Sequence, residues 1–347
     1  MKWHQGMAVS AVLAASAGVA SAQSSVTLYG IADIGVEYLT NAPAASGDGS
    51  VFRMSSGNMS TSRWGLRGKE DLGGGLSAIF ELESGFSLDN GSTSSRLFDR
   101  SSFVGLSGGF GKLTLGRQTT PLYDTAILLD PMGFAPHYGL YRSDDILAGR
   151  ADNAIKYSHS VSGLTVSGLY SFGRTGTGEV AGQSKVDRNF GGSLHYANGP
   201  VTFGVAYDEF QGTSIATRDN KDRRLLAGGS YAFGPVRAFA GYRWLKGSVA
   251  TGSDFRSNLY WLGARYQATP ALSLAGAAYY TDTRNSKADP MIFVVSSDYM
   301  LSKRTDLYLN VAYARNKDGS QLGLNGYGSV VAGENQTGVV AGIRHRF

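Results

Sequence analysis

The last eleven residues, Thr337–Phe347, read TGVVAGIRHRF. Val339, Ala341, Ile343, His345 and Phe347 fall on one side of an extended chain, and Gly338, Val340, Gly342, Arg344 and Arg346 fall on the other. One face is mostly apolar and the other carries the charge. Chain ends usually fray, so an alternation kept to the final residue implies that this strand must pair with another segment.

The same pattern recurs upstream. In TDLYLNVAYARN, Leu307, Leu309, Val311 and Tyr313 alternate with Asp306, Tyr308, Asn310, Ala312 and Ala314. VTFGVAYDEF sets Val201, Phe203, Val205 and Tyr207 against Thr202, Gly204, Ala206 and Asp208, and PVRAFAGYRW behaves alike. Half-apolar strands of about ten residues are the length that crosses a bilayer at a tilt.

Two kinds of connection separate them. Tight ones read EDLGGGLSA, SGGFGKL, SVSGLTV, YANGPVT, YAFGPVR, YQATPALS and MLSKRTDL, most with Gly, Pro or Asn where a turn needs them. They recur every 35 residues or roughly so, a hairpin-pair period. Longer polar ones include NAPAASGDGSVFRMSSGN, GRTGTGEVAGQSK and ARNKDGSQLGLNGYGSVVAGEN. Short turns at one rim and long loops at the other predict an all-β fold, a closed antiparallel transmembrane barrel of about sixteen strands. In such a barrel the last strand pairs with the first, leaving no edge in hydrocarbon, where each unpaired backbone group costs several kcal/mol.

Composition agrees. The chain has 48 glycines, 8 prolines, 19 tyrosines and 16 phenylalanines in 347 residues. No apolar run in the mature chain approaches the ~20 residues of a membrane helix, and aromatic and β-branched residues are too plentiful for disorder. A soluble β-sandwich would confine Gly to turns and pack Leu, Ile and Val between its sheets. Here small residues fill strand faces, and aromatic residues recur at strand ends (Tyr29, Tyr38, Tyr207, Phe210, Tyr231, Phe233, Tyr266, Tyr299, Phe347), as in two interfacial girdles. The net charge of +5 is spread without a clustered stripe, which excludes nucleic acid as a partner. Residues 1–22 read as a signal peptide, with basic Lys2, the apolar run MAVSAVLAASAGVA and cleavage after Ala22, so residues 23–347 form the mature barrel domain. Export permits disulfides, yet the chain has no cysteine.

The segments SSVTLYGIADIGVEY, SRWGLRGKEDLGGGLSAIFELESGF, FVGLSGGFGKLTLGRQ, LSKRTDLYL and GIRHRF together resemble the general diffusion porins of Gram-negative outer membranes, especially the beta-proteobacterial ones. That resemblance spans the mature chain. It implies a sixteen-stranded barrel in the cell outer membrane, a homotrimer, a third long loop folded into the lumen, and a C-terminal aromatic, here Phe347, read by the barrel-assembly machinery. It also implies outer-membrane lipid and lipopolysaccharide as neighbours, and arginines at Arg63, Arg100 and Arg150 lining the constriction.

The residues support the inserted loop independently. Between SGGFGKL and SVSGLTV the turn spacing is too long, and the excess lies in Thr119–Asn153, which is rich in apolar residues (Leu128, Leu129, Met132, Phe134, Tyr138, Leu140, Tyr141). Packed inside the lumen, its acids Asp124, Asp130, Asp144 and Asp145 are expected to face the channel; as an external loop, its apolar residues would cover its own base or a neighbouring subunit. Arg67 shares parity with Arg63 and Lys69, and Glu81 alternates inward with Glu83. Arg100 fits less well: strand parity puts it with Val104 and Leu106, so a bulge or a deeper packed zone is expected there.

Enzyme signals fail one by one. GLSGG at Gly105–Gly109 matches a nucleophile elbow but opens a tight turn with no helix after it. The mature histidines, His137, His159, His195 and His345, are dispersed without metal-ligand spacing, so no metal or other cofactor is called for. A barrel protease or phospholipase would need a Ser/His or Asp/His constellation that nothing selects, and a solute-specific channel is the other alternative. The sequence therefore reads as a non-enzymatic channel for passive diffusion of ions and small hydrophilic solutes, with a weak anion preference.

Overall fold

The computed structural model describes residues 25–43, 48–176, 179–249, 254–324 and 330–347. The expected signal peptide and its cleavage point lie outside the described residues. The first half of the chain forms β1 (Ser25–Pro43), β2 (Asp48–Ser56), β3 (Arg63–Gly73), β4 (Leu76–Gly85), β5 (Ser101–Gly108), β6 (Gly111–Thr119), a helix α1 (Pro121–Leu129), β7 (Arg150–Val161) and β8 (Leu164–Ser171). The second half continues with β9 (Asn189–Asn198), β10 (Val201–Gln211), β11 (Lys221–Phe233), β12 (Val236–Gly247), β13 (Phe255–Gln267), β14 (Leu272–Thr283), β15 (Met291–Met300), β16 (Thr305–Arg315) and β17 (Gln336–Arg346).

Each strand pairs antiparallel with the next from β3 to β17, and β17 returns to β1, with Ile31 opposite Arg346 and Leu39 opposite Gly338. The seventeen segments make sixteen staves, because β2 and β3 are two halves of one. β2 pairs with the upper part of β1, where Ile34 faces Ser56, and β3 with the lower part, where Ile31 faces Arg63. Phe347 completes the closure. Its N–H donates to the Gly30 carbonyl at 3.1 Å and its carbonyl accepts from the Gly30 N–H at 3.1 Å. The unbroken alternation at the C-terminus is thus the seam of the barrel.

The wall has its polar side inward. On β17, Ile343, His345 and Phe347 point outward and are exposed, while Val340 and Arg344 are buried toward the lumen. On β1 the outward Val26 and Leu28 are exposed, and the inward Asp33 and Glu37 are fully covered. Exposed apolar residues outside and covered acids inside are what a strand needs when lipid lies on one face and a packed, polar lumen on the other.

All seven tight turns fall where the sequence places them. The first long connection does not: Asp48–Ser56 is the strand β2, because Val51, Arg53 and Ser55 alternate with Phe52 and Met54 and extend the hairpin with β1. Two of the expected girdle residues also turn inward. Tyr29 shares parity with Ile31 and Asp33, faces the lumen and donates to Glu83 at 3.1 Å. Phe210 is buried beneath the guanidinium groups of Arg174 and Arg224. Nearness to a strand end does not specify which face a ring occupies.

Residues 120–149 fold inward against the wall. α1 starts at Thr120, whose hydroxyl accepts from the Tyr123 N–H at 3.2 Å, followed by Pro121 at the first helical position. Two 3₁₀ turns, Leu140–Arg142 and Asp145–Ala148, lead back to β7. Leu122, Ala126, Leu129, Tyr138, Leu140 and Leu147 are fully buried in one cluster with wall residues including Leu226, Leu259, Tyr279 and Ile292.

Candidate functional site

Two adjoining cavities occupy the lumen beside this loop, of about 430 Å³ and 530 Å³. Five residues line both: Arg63, Arg100 and Arg150 from the wall, Tyr123 and Ile127 from α1. The passage between the cavities runs through that ring.

Arg63 opens β3 and Arg150 opens β7, each placed where a wall strand begins level with the loop. Arg100 does not sit on a strand. It is the residue before β5, whose pairing with β4 begins at Ser101 opposite Glu83, while Val104 and Leu106 face outward. No bulge is required, because parity does not reach a residue beyond the strand. Glu83 lies between two of the arginines: Arg100 Nε donates to it at 2.7 Å, and Arg63 Nε stands 3.4 Å from its other oxygen. Arg150 has no ion pair among the described residues; its guanidinium lies 5.4 Å from the Tyr123 ring centre.

Arg67 does not join this ring. It stacks over Tyr29 at 5.0 Å and lines a separate space with Lys69, Glu81 and Lys112, toward the turn between β3 and β4. Glu81 borders both that space and the larger lumen cavity. Asp124 lines the larger cavity, paired with Lys156 and accepting from the Thr119 hydroxyl at 2.8 Å.

Two loop acids overturn the expectation that all four face the channel. Asp130 is 1% exposed and organises the loop itself, accepting from the N–H groups of Met132 at 3.2 Å, Phe134 at 2.7 Å and Leu140 at 3.2 Å, and from the Tyr279 hydroxyl. Asp144 is largely buried at the edge of a further cavity apart from the arginine ring and docks the loop to the wall, 3.0 Å from both Arg224 and Arg243. Burial alone would push its carboxyl up, but those two guanidinium groups hold it below the usual carboxylate range. A loop lying on a polar wall needs groups to dock with it, and sequence spacing cannot separate docking acids from lining ones. Asp145 is exposed, beside that same cavity, which Arg142 and Arg243 border.

Sequence reasoning missed Arg117, Arg346 and Asp99, all of which line the smaller cavity. Parity on β6 sends Arg117 outward, since its neighbours Thr114 and Gln118 point in. A register shift re-aims it: between the pairs Gly116–Ala154 and Gln118–Ala151, Arg117 stands opposite both Asp152 and Asn153 of β7, with Asn153 at φ 47° in the bulge and Gly116 at φ 126° beside it. Its guanidinium then donates to the Asp99 carbonyl at 2.6 Å and pairs with Asp152. A glycine inside the alternating run LTLGRQ was the available signal.

A closed barrel with lipid-facing side chains outside, charged cavities inside and a loop packed across its bore defines a transmembrane channel. The chain belongs to the Gram-negative porins: the family so described matches residues 8–319. It is 38% identical to outer membrane porin protein 32 of Delftia acidovorans over 97% of this chain and 98% of that one. It is 35% identical to an outer membrane porin protein of Bordetella pertussis over 61% of each chain. Among solved structures, an anion-selective porin from Comamonas acidovorans superposes with a TM-score of 0.84 at 34% identity, covering 94% of this chain and all of that one. This protein is a passive diffusion channel of the outer membrane and not an enzyme, which removes the barrel protease and phospholipase.

Proposed function

We propose that the channel is weakly anion-selective and that Arg63, Arg100 and Arg150 form its selectivity site. One observation carries this reading: of the five arginines that line the smaller cavity, Arg117 and Arg346 are paired with Asp152 and Asp306, whereas Arg63 and Arg100 share the single Glu83 and Arg150 has no ion pair among the described residues. In the adjoining cavity Lys112 and Lys156 add to the three shared arginines, and Glu81, Glu83 and Asp124 answer them. Glu83 serves Arg63 and Arg100 together, so one positive charge there has no counter-ion, and Arg150 adds another. Two unit charges about 10 Å apart in water interact by only ~0.4 kcal/mol, but low-dielectric walls and several arginines together raise this to the order of 1 kcal/mol. The likeness to the anion-selective Comamonas porin points the same way.

The test is the reversal potential across a salt gradient for the parent and for Arg63→Ser with Arg150→Ser. In dilute salt the anion-to-cation permeability ratio falls in the double variant, and the difference shrinks as salt shortens the Debye length to about 8 Å at physiological strength. An unaltered ratio in dilute salt places the selectivity site elsewhere.

The remaining partners belong to this reading too. Assembly as a homotrimer rests on membership of the porin family. Removal of residues 1–22 as a signal peptide, recognition of Phe347 by the assembly machinery, and contact with lipopolysaccharide rest on family membership.

A further inference from the structure

The stave formed by β2 and β3 is broken at Gly57–Ser62, and the break lies inside the barrel. Ile34 pairs with Ser56 and Ile31 with Arg63, so the two β1 residues between them stand opposite six, and four are in excess. An excess of four keeps the in-and-out alternation on both sides, which lets the stave carry an insertion without turning either half inside out.

The insertion is built rather than frayed. The gap it leaves in the β1 ladder is closed by hydrogen bonds: the Asp33 N–H donates to the Ser62 hydroxyl at 3.0 Å, and the Asp33 carbonyl accepts from the Gly57 N–H at 2.9 Å. Gly57 takes φ 77°, a conformation that favours glycine. The Asp33 carboxylate accepts from the N–H groups of Met59 at 2.9 Å and Ser60 at 2.7 Å, and from the Tyr308 hydroxyl at 2.6 Å. Asn58 is fully buried and donates to Tyr308 at 2.9 Å. Ser60 accepts from Arg344 at 2.9 Å.

Every one of these partners is on the lumen face of β1, β16 or β17. Met59, Ser60 and Thr61 line the smaller cavity, together with Arg63 on one side and Phe134 and Tyr141 of the loop on another. We infer that Gly57–Ser62 is a second constriction element, a fixed sill on the wall that sets the bore jointly with the folded-in loop. It places the Ser60 and Thr61 hydroxyls beside the arginines, so solutes pass between a neutral polar edge and an aromatic one. Asp33 is its positioning residue.

This inference rests on the narrow zone proposed above, and the experiment separates the two. Deleting Asn58–Thr61 joins Gly57 to Ser62 and restores a continuous register with β1. The variant is expected to assemble, to conduct on the order of 1.5-fold more in concentrated salt, and to admit larger neutral polyethylene glycols. Thr61→Phe leaves the sill in place, and is expected to lower conductance and the size limit. Both are measured beside a variant lacking Asp130–Tyr141 of the loop. If the loop deletion widens the channel while the sill deletion and Thr61→Phe change nothing, the sill is no constriction element and the selectivity reading stands. If none of the three changes the bore, the narrow zone itself is misplaced. Should the sill deletion fail to assemble, Thr61→Phe decides: an unaltered size limit overturns the proposal.

Discussion

The wall and the loop inside it are held by different means. In the wall, each stave is joined to its neighbours by main-chain hydrogen bonds, and side chains only choose between lipid and lumen. In the loop, side chains from distant strands grip the main chain. Trp261 donates to the Leu129 carbonyl at 2.9 Å and Arg265 to the Asp130 carbonyl at 3.1 Å, and in return the loop's own Arg142 donates to the Gly323 carbonyl, beyond β16, at 2.8 Å. Tyr138 donates to Glu37 at 2.7 Å. The main chain of a barrel is self-sufficient once closed, whereas a loop crossing a bore must have its polar groups met by the wall it lies on. A change in the wall should therefore act on assembly, and a change in the loop on the bore.

Deleting Phe347 tests the wall at its seam and carries the largest expected effect. The truncated chain loses both main-chain bonds to Gly30 and the terminal aromatic. Folded barrel in outer-membrane fractions should drop severely, with little change in the conductance of the channels that do form. A normal yield of assembled protein would break the comparison.

Removing Asp130–Tyr141 tests the loop. Assembly should persist and conductance should rise on the order of 1.5- to 2-fold, since bore width governs flow. Unchanged permeability would mean that the loop leaves the path clear.

A smaller effect is expected from Asp130→Ala. It removes the carboxyl group that gathers Met132, Phe134 and Leu140 and leaves their buried N–H groups unpaired, at about 1–3 kcal/mol each and not additive. The loop should loosen without leaving, so open-channel noise increases while assembly and mean selectivity hold. Quiet openings would show that apolar packing alone suffices.

The smallest effect is a pH dependence. Burial, and then the Arg53 and Arg142 charges, push His137 down to about 3, so its approach to Glu37 at 3.8 Å is not an ion pair near neutrality. An undocked loop would protonate this ring near its ordinary ~6.5. Docking is therefore fully stabilised above that value and weakens as pH falls, by about 1.4 kcal/mol per unit from this group. Asp144, held low, adds its own loss only below the ordinary carboxylate range of ~3.9. Recordings from pH 7 to pH 5 should show rising loop fluctuations that His137→Gln suppresses; equal sensitivity in both proteins would assign the effect to another group.

The sequence alone determined the wall apart from β2, which it read as a connection. Alternation with period two, seven tight turns and an apolar residue held in register to the last position specify staves, rims and closure, because main-chain pairing is local in pattern even when its partners are far apart. It also specified that Thr119–Asn153 was too long and too apolar for an ordinary connection. The tertiary structure decided what lies within the bore. Whether an acid lines the passage, as Asp124 does, or docks the loop, as Asp130 and Asp144 do, depends on Tyr279, Arg224 and Arg243 arriving from strands 80 to 149 residues away. The inward turn of Arg117 depends on a bulge in the facing strand β7, and the Gly57–Ser62 sill on a register that only the paired strands reveal. Periodicity records which face a residue occupies; it holds no information about which groups meet across the lumen.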